Sequence, residues 1–347
     1  MRKASHAATF PVHEITFMFA VPQPLPVKSV MSKLSHIPPA SPFHPENAHD
    51  YAAWRARKLA MHPREPQQLV VPLADPARPS ARETAAIAAM CARANMAIYD
   101  TGRREGGDSP HLPEELKKLA AHFGLTDREQ HRSMREHELV DIRVAKPEER
   151  PRQGFIPYTT RRILWHTDGY YKFGYPGARP IRAMILHCVR DAKEGGENEL
   201  LDPDIAYIRL RDESPALIAA LMRDNAMTIP AFEEEDGSVR PESRGPVFWV
   251  DEEGALNMRY TERSRNIEWA DDPDTRAAVE FLRHLLHEAD EPFRFTVRMK
   301  PGQGLLCNNV LHTRSAFIDH DDPARRRLLY RGRYANRIRA SEPALSS

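Results

Sequence analysis

Proline has no backbone N–H to give to a ladder and cannot continue a helix, and this chain crowds prolines at its front. Pro22, Pro24, Pro26, Pro38, Pro39, Pro42 and Pro45 precede residue 46, and Pro63, Pro66, Pro72, Pro76 and Pro79 follow. Residues 1–45 are therefore expected to form an extended or mobile arm. Folded structure belongs to residues 46–340, expected as one domain, with 341–347 as a tail.

Beyond the arm, helical patterns come first and short strands later. Asp50–Leu59 is a helix candidate with Asp50 near its N-cap. Ser80 followed by Glu83 has capping-box spacing and opens a helix to about Ala94. Met96–Tyr99 reads as a strand. Pro113–Gly124 reads as a helix with a glycine C-cap. Leu139–Val144 and Arg182–Val189 read as strands, Asp204–Leu210 and Ser214–Asp224 as helices. Ala226–Ile229, Val247–Val250 and Ala255–Tyr260 are short strands, the last two joined by the turn Asp251–Gly254. An amphipathic helix over Thr275–Ala289 precedes strands at Phe293–Met299, Gly304–Asn308 and Arg327–Tyr334. The pattern is α+β with a β-sandwich or jelly-roll core.

Charge and cysteine narrow the function. Lys+Arg is 50 and Asp+Glu 49, a net charge of +1. Nucleic-acid binding needs a basic footprint that this balance does not supply. Cys91, Cys188 and Cys307 are too few and too far apart for a disulfide framework or a paired-cysteine zinc site, so a reducing cytoplasm is expected. No run of about 18 apolar residues spans a membrane. The apolar patch Ile15–Val21 is too short and too closely flanked by His13, Glu14 and Pro22 for a signal peptide.

One segment carries metal chemistry. In Trp165-His166-Thr167-Asp168-Gly169, residues i and i+2 of an extended chain project to one side. His166 and Asp168 can then share an ion, with His312 as the distal third ligand. Two histidines and a carboxylate on one face suit non-haem Fe(II), leaving positions open for a chelating co-substrate and oxygen. The rival pairs, His320-Asp321-Asp322 and His44-Pro45-Glu46, lack that context: one has no later histidine, the other lies in the arm. Arg327, Arg331 and Arg333 fall on one face of their strand by period-2 alternation. If that face points inward, unpaired guanidinium groups call for an anion.

Together these residues resemble the taurine dioxygenase/2,4-D dioxygenase-like (TauD/TfdA-like) branch of the Fe(II)/2-oxoglutarate oxygenases, from about Ser80 to Ile338. The third ligand comes 146 residues after the first and Arg327 a further 15 on. The ending Arg326-Arg327-Leu328-Leu329-Tyr330-Arg331 is similar to the family's Arg-Arg-x-x-x-Arg. The resemblance implies a double-stranded β-helix (jelly-roll) core flanked by helices, with Fe(II) and 2-oxoglutarate as cofactor and co-substrate. It implies hydroxylation of an unactivated C–H bond of a small, anionic molecule, with release of succinate and CO2. His166, Asp168 and His312 would be the metal ligands and catalytic triad. Arg327 would hold the distal 2-oxoglutarate carboxylate, or Arg325 or Arg326 in a shifted register. Arg331 would touch the co-substrate or an anionic substrate group. The family's Gly-Gly-Asp-Thr reads here as Gly195-Gly196-Glu197-Asn198, leaving Asn198 as the hydrogen-bond donor. Arg259, Tyr260, Arg263 and Tyr170 are substrate-pocket candidates. Asp168 argues against halogenation, since the related halogenating enzymes lack the carboxylate ligand.

The partners expected are a small-molecule substrate and O2, with no nucleic acid and no membrane, and a homo-oligomer left open. Two rivals keep the triad: a cupin-like metalloenzyme without 2-oxoglutarate, and a metal- or ligand-binding barrel without turnover. His284-Leu285-Leu286-His287-Glu288 lacks the His-Glu-x-x-His order of zinc proteases and reads as a helix surface. A chain begun at Met31 is expected to keep its iron site, as metal titration of the truncated protein would check.

Overall fold

The computed structural model describes residues 37–104, 109–129, 139–149, 152, 155–233, 237–263 and 267–339, all within one unit, residues 32–347. The expected arm up to residue 36 and the tail 341–347 lie outside the described residues. The helices are α1 (Ala48–Met61), α2 (Ala81–Ala94), α3 (Leu112–His122), α4 (Pro203–Glu213), α5 (Pro215–Leu221) and α6 (Pro273–His287). Among the described residues no helix is long and apolar enough to cross a membrane.

Caps set the helix ends. Ser80 Oγ accepts from Glu83 N and Glu83 accepts from Ser80 N, closing the box at α2. The far end of α2 stops at Asn95, whose φ of 55° is left-handed. In α6, Asp272 caps Thr275 N, Pro273 takes the first turn, and Ala278, Val279, Leu282, Leu285 and Leu286 form the buried stripe. The cap of α1 is Asn47, whose side chain accepts from Asp50 N; Asp50 sits in the first turn.

The strands form two main sheets. β1 (Val70–Pro72), β2 (Met96–Asp100), β3 (Val140–Ile142), β4 (Ile163–His166), β5 (Ala183–Arg190) and β6 (Asn198–Leu201) come before α4. β7 (Phe295–Val297), β8 (Gln303–Cys307), β9 (Leu311–Arg314) and β10 (Leu328–Tyr334) come after α6. The larger sheet has the order β1-β2-β8-β5-β10-β3 and the smaller β7-β6-β9-β4. Only the β1–β2 pair is parallel within them. From β4 to β6 and again from β7 to β10 the chain alternates between the sheets. This is the routing of a double-stranded β-helix, so the α+β jelly-roll expectation holds.

Side-chain alternation sorts the core into layers. Leu186 and Cys188 of β5, Leu305 and Cys307 of β8 and Leu329 of β10 meet Leu200 and Phe295 of the smaller sheet. On the opposite face of the larger sheet, Ile185, Leu306, Leu328 and Tyr330 pack against Ile87 of α2 and Leu116 and Leu119 of α3. Leu201, Leu311 and Trp165 turn outward from the smaller sheet onto Ile205, Ile218, Leu282 and Leu285 of α4–α6.

Residues 37–45 depart from the expectation of a mobile arm. Ile37 and Phe43 are buried in the α4–α6 cluster, and Phe43 packs edge-on against Trp54 and Tyr207. The physical reason is Arg211. Prolines leave this stretch poor in N–H groups, so its carbonyls need other donors. The Arg211 guanidinium donates to Pro42 O (2.8 Å), His44 O (3.0 Å), Pro45 O (3.1 Å) and Asn47 O (3.2 Å), with its plane over the Tyr51 ring at 4.0 Å. Arg211→Ala should cost about 2–4 kcal/mol, because several buried carbonyls lose a charged donor at once. Urea denaturation and faster proteolysis between residues 37 and 47 would register the loss.

Candidate active site

The antiparallel pairing of β4 with β9 sets His312 directly opposite His166, with ring centroids 4.2 Å apart. On its other side β4 meets residues 260–262: Thr167 N donates to Tyr260 O, Glu262 N to Trp165 O, and Thr261 pairs with His166. Asp168 follows where the ladder ends. The chain then turns at Gly169, with φ of 66°, where a Cβ would stand 2.4 Å from Ile181 Cγ1.

These residues fit a divalent ion. One ligand atom from each of His166, Asp168 and His312 lies within 4.8 Å of the others. His166 Nδ1 is 2.9 Å from Leu164 O and His312 Nδ1 is 2.9 Å from Val310 O. A carbonyl only accepts, so both Nδ1 atoms carry the proton and both Nε2 lone pairs are bare. Burial, reinforced by His312, pushes the His166 imidazole down to about 3, and burial lowers His312 as well. Both rings are neutral, as metal ligation requires. Burial opposes ionisation of Asp168, but Arg331 and Arg333 outweigh it and hold the carboxyl well below the usual range. Both guanidinium groups stand 3.3 Å from Asp168 Oδ1. Asp168 Oδ2 is buried with no hydrogen-bond partner among the described residues.

A second feature lies along β10. Arg327, Arg331 and Arg333 share the face of Leu329, toward the space between the sheets. Arg327 is 5% exposed, yet its Nη1 has no hydrogen-bond partner among the described residues. Burial pulls it down to about 10. It lines a cleft with Asn198, Arg298, Cys188, Gly195 and Gly196. The two glycines are required there: a Cβ on Gly195 would meet Ala316 O at 2.3 Å, and Gly196 has φ of 78°. Asn198 commits Nδ2 to Thr313 O at 2.6 Å, leaving its second amide hydrogen and its Oδ1 for the cleft. Neither Arg325 nor Arg326 lines this cleft; both are exposed.

The substrate candidates divide. Tyr170 lies two residues after Asp168 and packs edge-on against Tyr171 at 5.3 Å. Arg263 is exposed and its charge acts on Tyr170. Arg259 and Tyr260 do not join them. Arg259 is buried beneath Phe173 and donates to Ser243 Oγ, Met227 O and Gly245 O. It satisfies carbonyls at strand ends, which the run of charged residues did not disclose. Tyr260 is buried in the helical cluster against Trp269.

Sequence reasoning missed four residues at this site. Arg240 lies 5.7 Å above the Tyr171 ring and has a buried, unpartnered Nη1. Glu129 pairs with Arg333 and Lys172. Arg314 donates to Pro157 O, Thr159 O and Arg161 O, fixing the loop beside the metal strand. Asn309 holds the backbone of Asp168. Only Arg314, two residues after the metal histidine in a strand, had a positional signal.

A bare two-histidine, one-carboxylate face beside an anion-seeking arginine, on a double-stranded β-helix, defines an iron- and 2-oxoglutarate-dependent oxygenase. The family described as taurine catabolism dioxygenase TauD, TfdA matches residues 108–333, and the chain belongs to it. It is 34% identical over 212 residues to a uridine-5'-phosphate dioxygenase of an Amycolatopsis species, covering 58% of this chain and 70% of that one. A uridine-5'-phosphate dioxygenase of a Streptomyces species is 33% identical over 181 residues, 50% of this chain and 61% of that one. Among solved structures, an asparagine oxygenase with Fe(II), hydroxyasparagine and succinate aligns with a TM-score of 0.48 at 17% identity, over 73% of this chain and 78% of its own.

Arg327 lies over the Phe317 ring at 5.0 Å, but its buried Nη1 has no hydrogen-bond partner among the described residues, and that weakens the fold it sits in. Arg327→Met should leave the metal-free protein's Tm unchanged or higher, while KM for 2-oxoglutarate rises by at least about tenfold through loss of a charge-assisted pair. Thermal melts and succinate release measure the two sides.

Proposed function

We propose that the protein hydroxylates a C–H bond of a phosphorylated nucleoside, with uridine 5'-phosphate as the first substrate to test. The observation that carries the oxygenase chemistry is the bare His166–Asp168–His312 face beside the unpartnered guanidinium of Arg327. The substrate class is supported by the names of the two relatives above 30% identity. It is also supported by the wall next to the metal strand, where Tyr170 and Tyr171 offer aromatic faces and Arg240 and Arg263 offer charge. Aromatic faces suit a base, and a guanidinium fork suits a phosphate.

When bound, iron(II) with 2-oxoglutarate supplies the oxidation of the C–H bond by O2, with release of succinate and CO2. The chain's own groups do the positioning. His166 and His312 present Nε2, and Asp168 presents Oδ2. Arg327 receives the far carboxylate of 2-oxoglutarate, Asn198 lines that cleft, and Arg331 balances Asp168. Residues 37–45 join the expected 46–340 as one oxygenase domain, and the reaction belongs in a reducing cytoplasm.

Anaerobic visible absorption tests this reading. Fe(II) and 2-oxoglutarate should give a charge-transfer band that is lost in His166→Ala and weakened in Arg327→Ala. Uridine 5'-phosphate should then stimulate succinate release more than uridine, and Arg240→Ala should raise its KM by about tenfold with the band unchanged. Tight metal binding without a band would favour the cupin-like alternative. A band without nucleotide-stimulated turnover would keep the oxygenase and dismiss the substrate.

A further inference from the structure

We infer that Asn309 is a positioning residue for the metal site: its side chain grips the main chain of Asp168 and so sets where that carboxylate can reach. The inference rests on the metal reading of His166, Asp168 and His312.

Asp168 lies where strand pairing fails. β4 ends at His166, whose pairing with His312 is the last on that side of the β4–β9 ladder. The peptide groups of Asp168 thus lose their ladder partner at the ligand itself. Asn309 replaces it. Its Oδ1 accepts from Asp168 N at 2.7 Å, and its Nδ2 donates to Asp168 O at 3.0 Å and Ile181 O at 2.7 Å. A primary amide has one acceptor and two donor hydrogens, and all are used. The residue is 5% exposed, so these bonds meet little competition from water. Its backbone has φ of 51°, a conformation that asparagine and glycine tolerate and most residues do not.

Asn309 also lies three residues before His312, so one short loop carries a ligand and fixes another. That loop is anchored from segments outside residues 108–333. Asn308 N donates to Asn95 O (2.7 Å), its Nδ2 to Asn95 Oδ1 (3.1 Å), and its Oδ1 accepts from Ile338 N (3.0 Å). Asn95 in turn donates to Asp202, which Lys58 of α1 pairs with at 2.6 Å. Asn308 thus holds the loop in place, while Asn309 alone touches the ligand residue.

Asn309→Gly tests the assignment, since glycine keeps the left-handed backbone and deletes the amide. Co(II) titrated anaerobically into the full-length protein reads metal affinity without turnover. Affinity should fall about 10–100-fold, the usual range for groups that orient a ligand. Asn308→Ala should lower Tm but change the Co(II) Kd by less than about threefold, because Asp168 keeps its clamp. Unchanged Kd in Asn309→Gly, or equal losses in both variants, would overturn the inference. Wild-type protein that binds no Co(II) would instead sink the metal reading itself. Should Asn309→Gly fail to fold, hydrogen exchange in the metal-free wild type decides. The Asp168 amide should be protected, and exchange at the rate of an exposed loop would refute the clamp.

Discussion

The register that sets His312 against His166 is the constraint from which the site follows. A slip of one residue would turn one histidine outward, and the triad would vanish with no change in sequence. The register is held from several sides. β9 pairs with β6 as well as β4, residues 260–262 close the other edge of β4, and Trp165 and Leu311 are buried outward among the helices. Apolar burial on one face thus fixes the polar face between the sheets. His166 and His312 are placed accurately because Trp165 and Leu311, the residues before them, are buried apolar side chains.

Arginine is used here in two distinguishable ways. Arg211, Arg259 and Arg314 are buried but spend their donors on main-chain carbonyls of irregular segments. They act as fasteners where proline or a strand end leaves carbonyls without a ladder. Arg331 and Arg333 meet the carboxylate of Asp168. Arg327 keeps a buried Nη1 without a hydrogen-bond partner. Desolvation is costly in every case, and only the partner count separates a structural arginine from one awaiting a ligand. No sequence pattern gives that count.

This distinction explains what could be read from the chain. The His-x-Asp pair and the shared face of Arg327, Arg331 and Arg333 follow from two-residue periodicity, and the distal His312 from the family's spacing, so they were legible. The capping box at Ser80, the helix at Thr275 and the hairpin at Asp251–Gly254 follow from local signals and appear within a few residues of expectation. The pocket expectation for Arg259 and Tyr260 rests on the family resemblance, since their strand ends where the family often lines its substrate pocket. Their side chains are instead claimed by Met227, Gly245 and Trp269, partners that no periodic pattern in the sequence points to. Residues 37–45 were assigned to an arm because proline forbids regular structure. Proline does not forbid burial, and Arg211 supplies what the ladder cannot.

The most demanding part of the site is the carboxylate. Asp168 must stay ionised while buried, and it must leave one oxygen uncommitted. Arg331 and Arg333 meet the first requirement through Oδ1 alone, which leaves Oδ2 without a hydrogen-bond partner among the described residues. The main-chain grip of Asn309 and the turn at Gly169 hold the residue from its backbone end. Glu129 and Lys172 set the other limit, since Arg333 answers to Glu129 as well as to Asp168. Charge keeps the carboxylate ionised, and directed hydrogen bonds from Asn309 hold its backbone in one place.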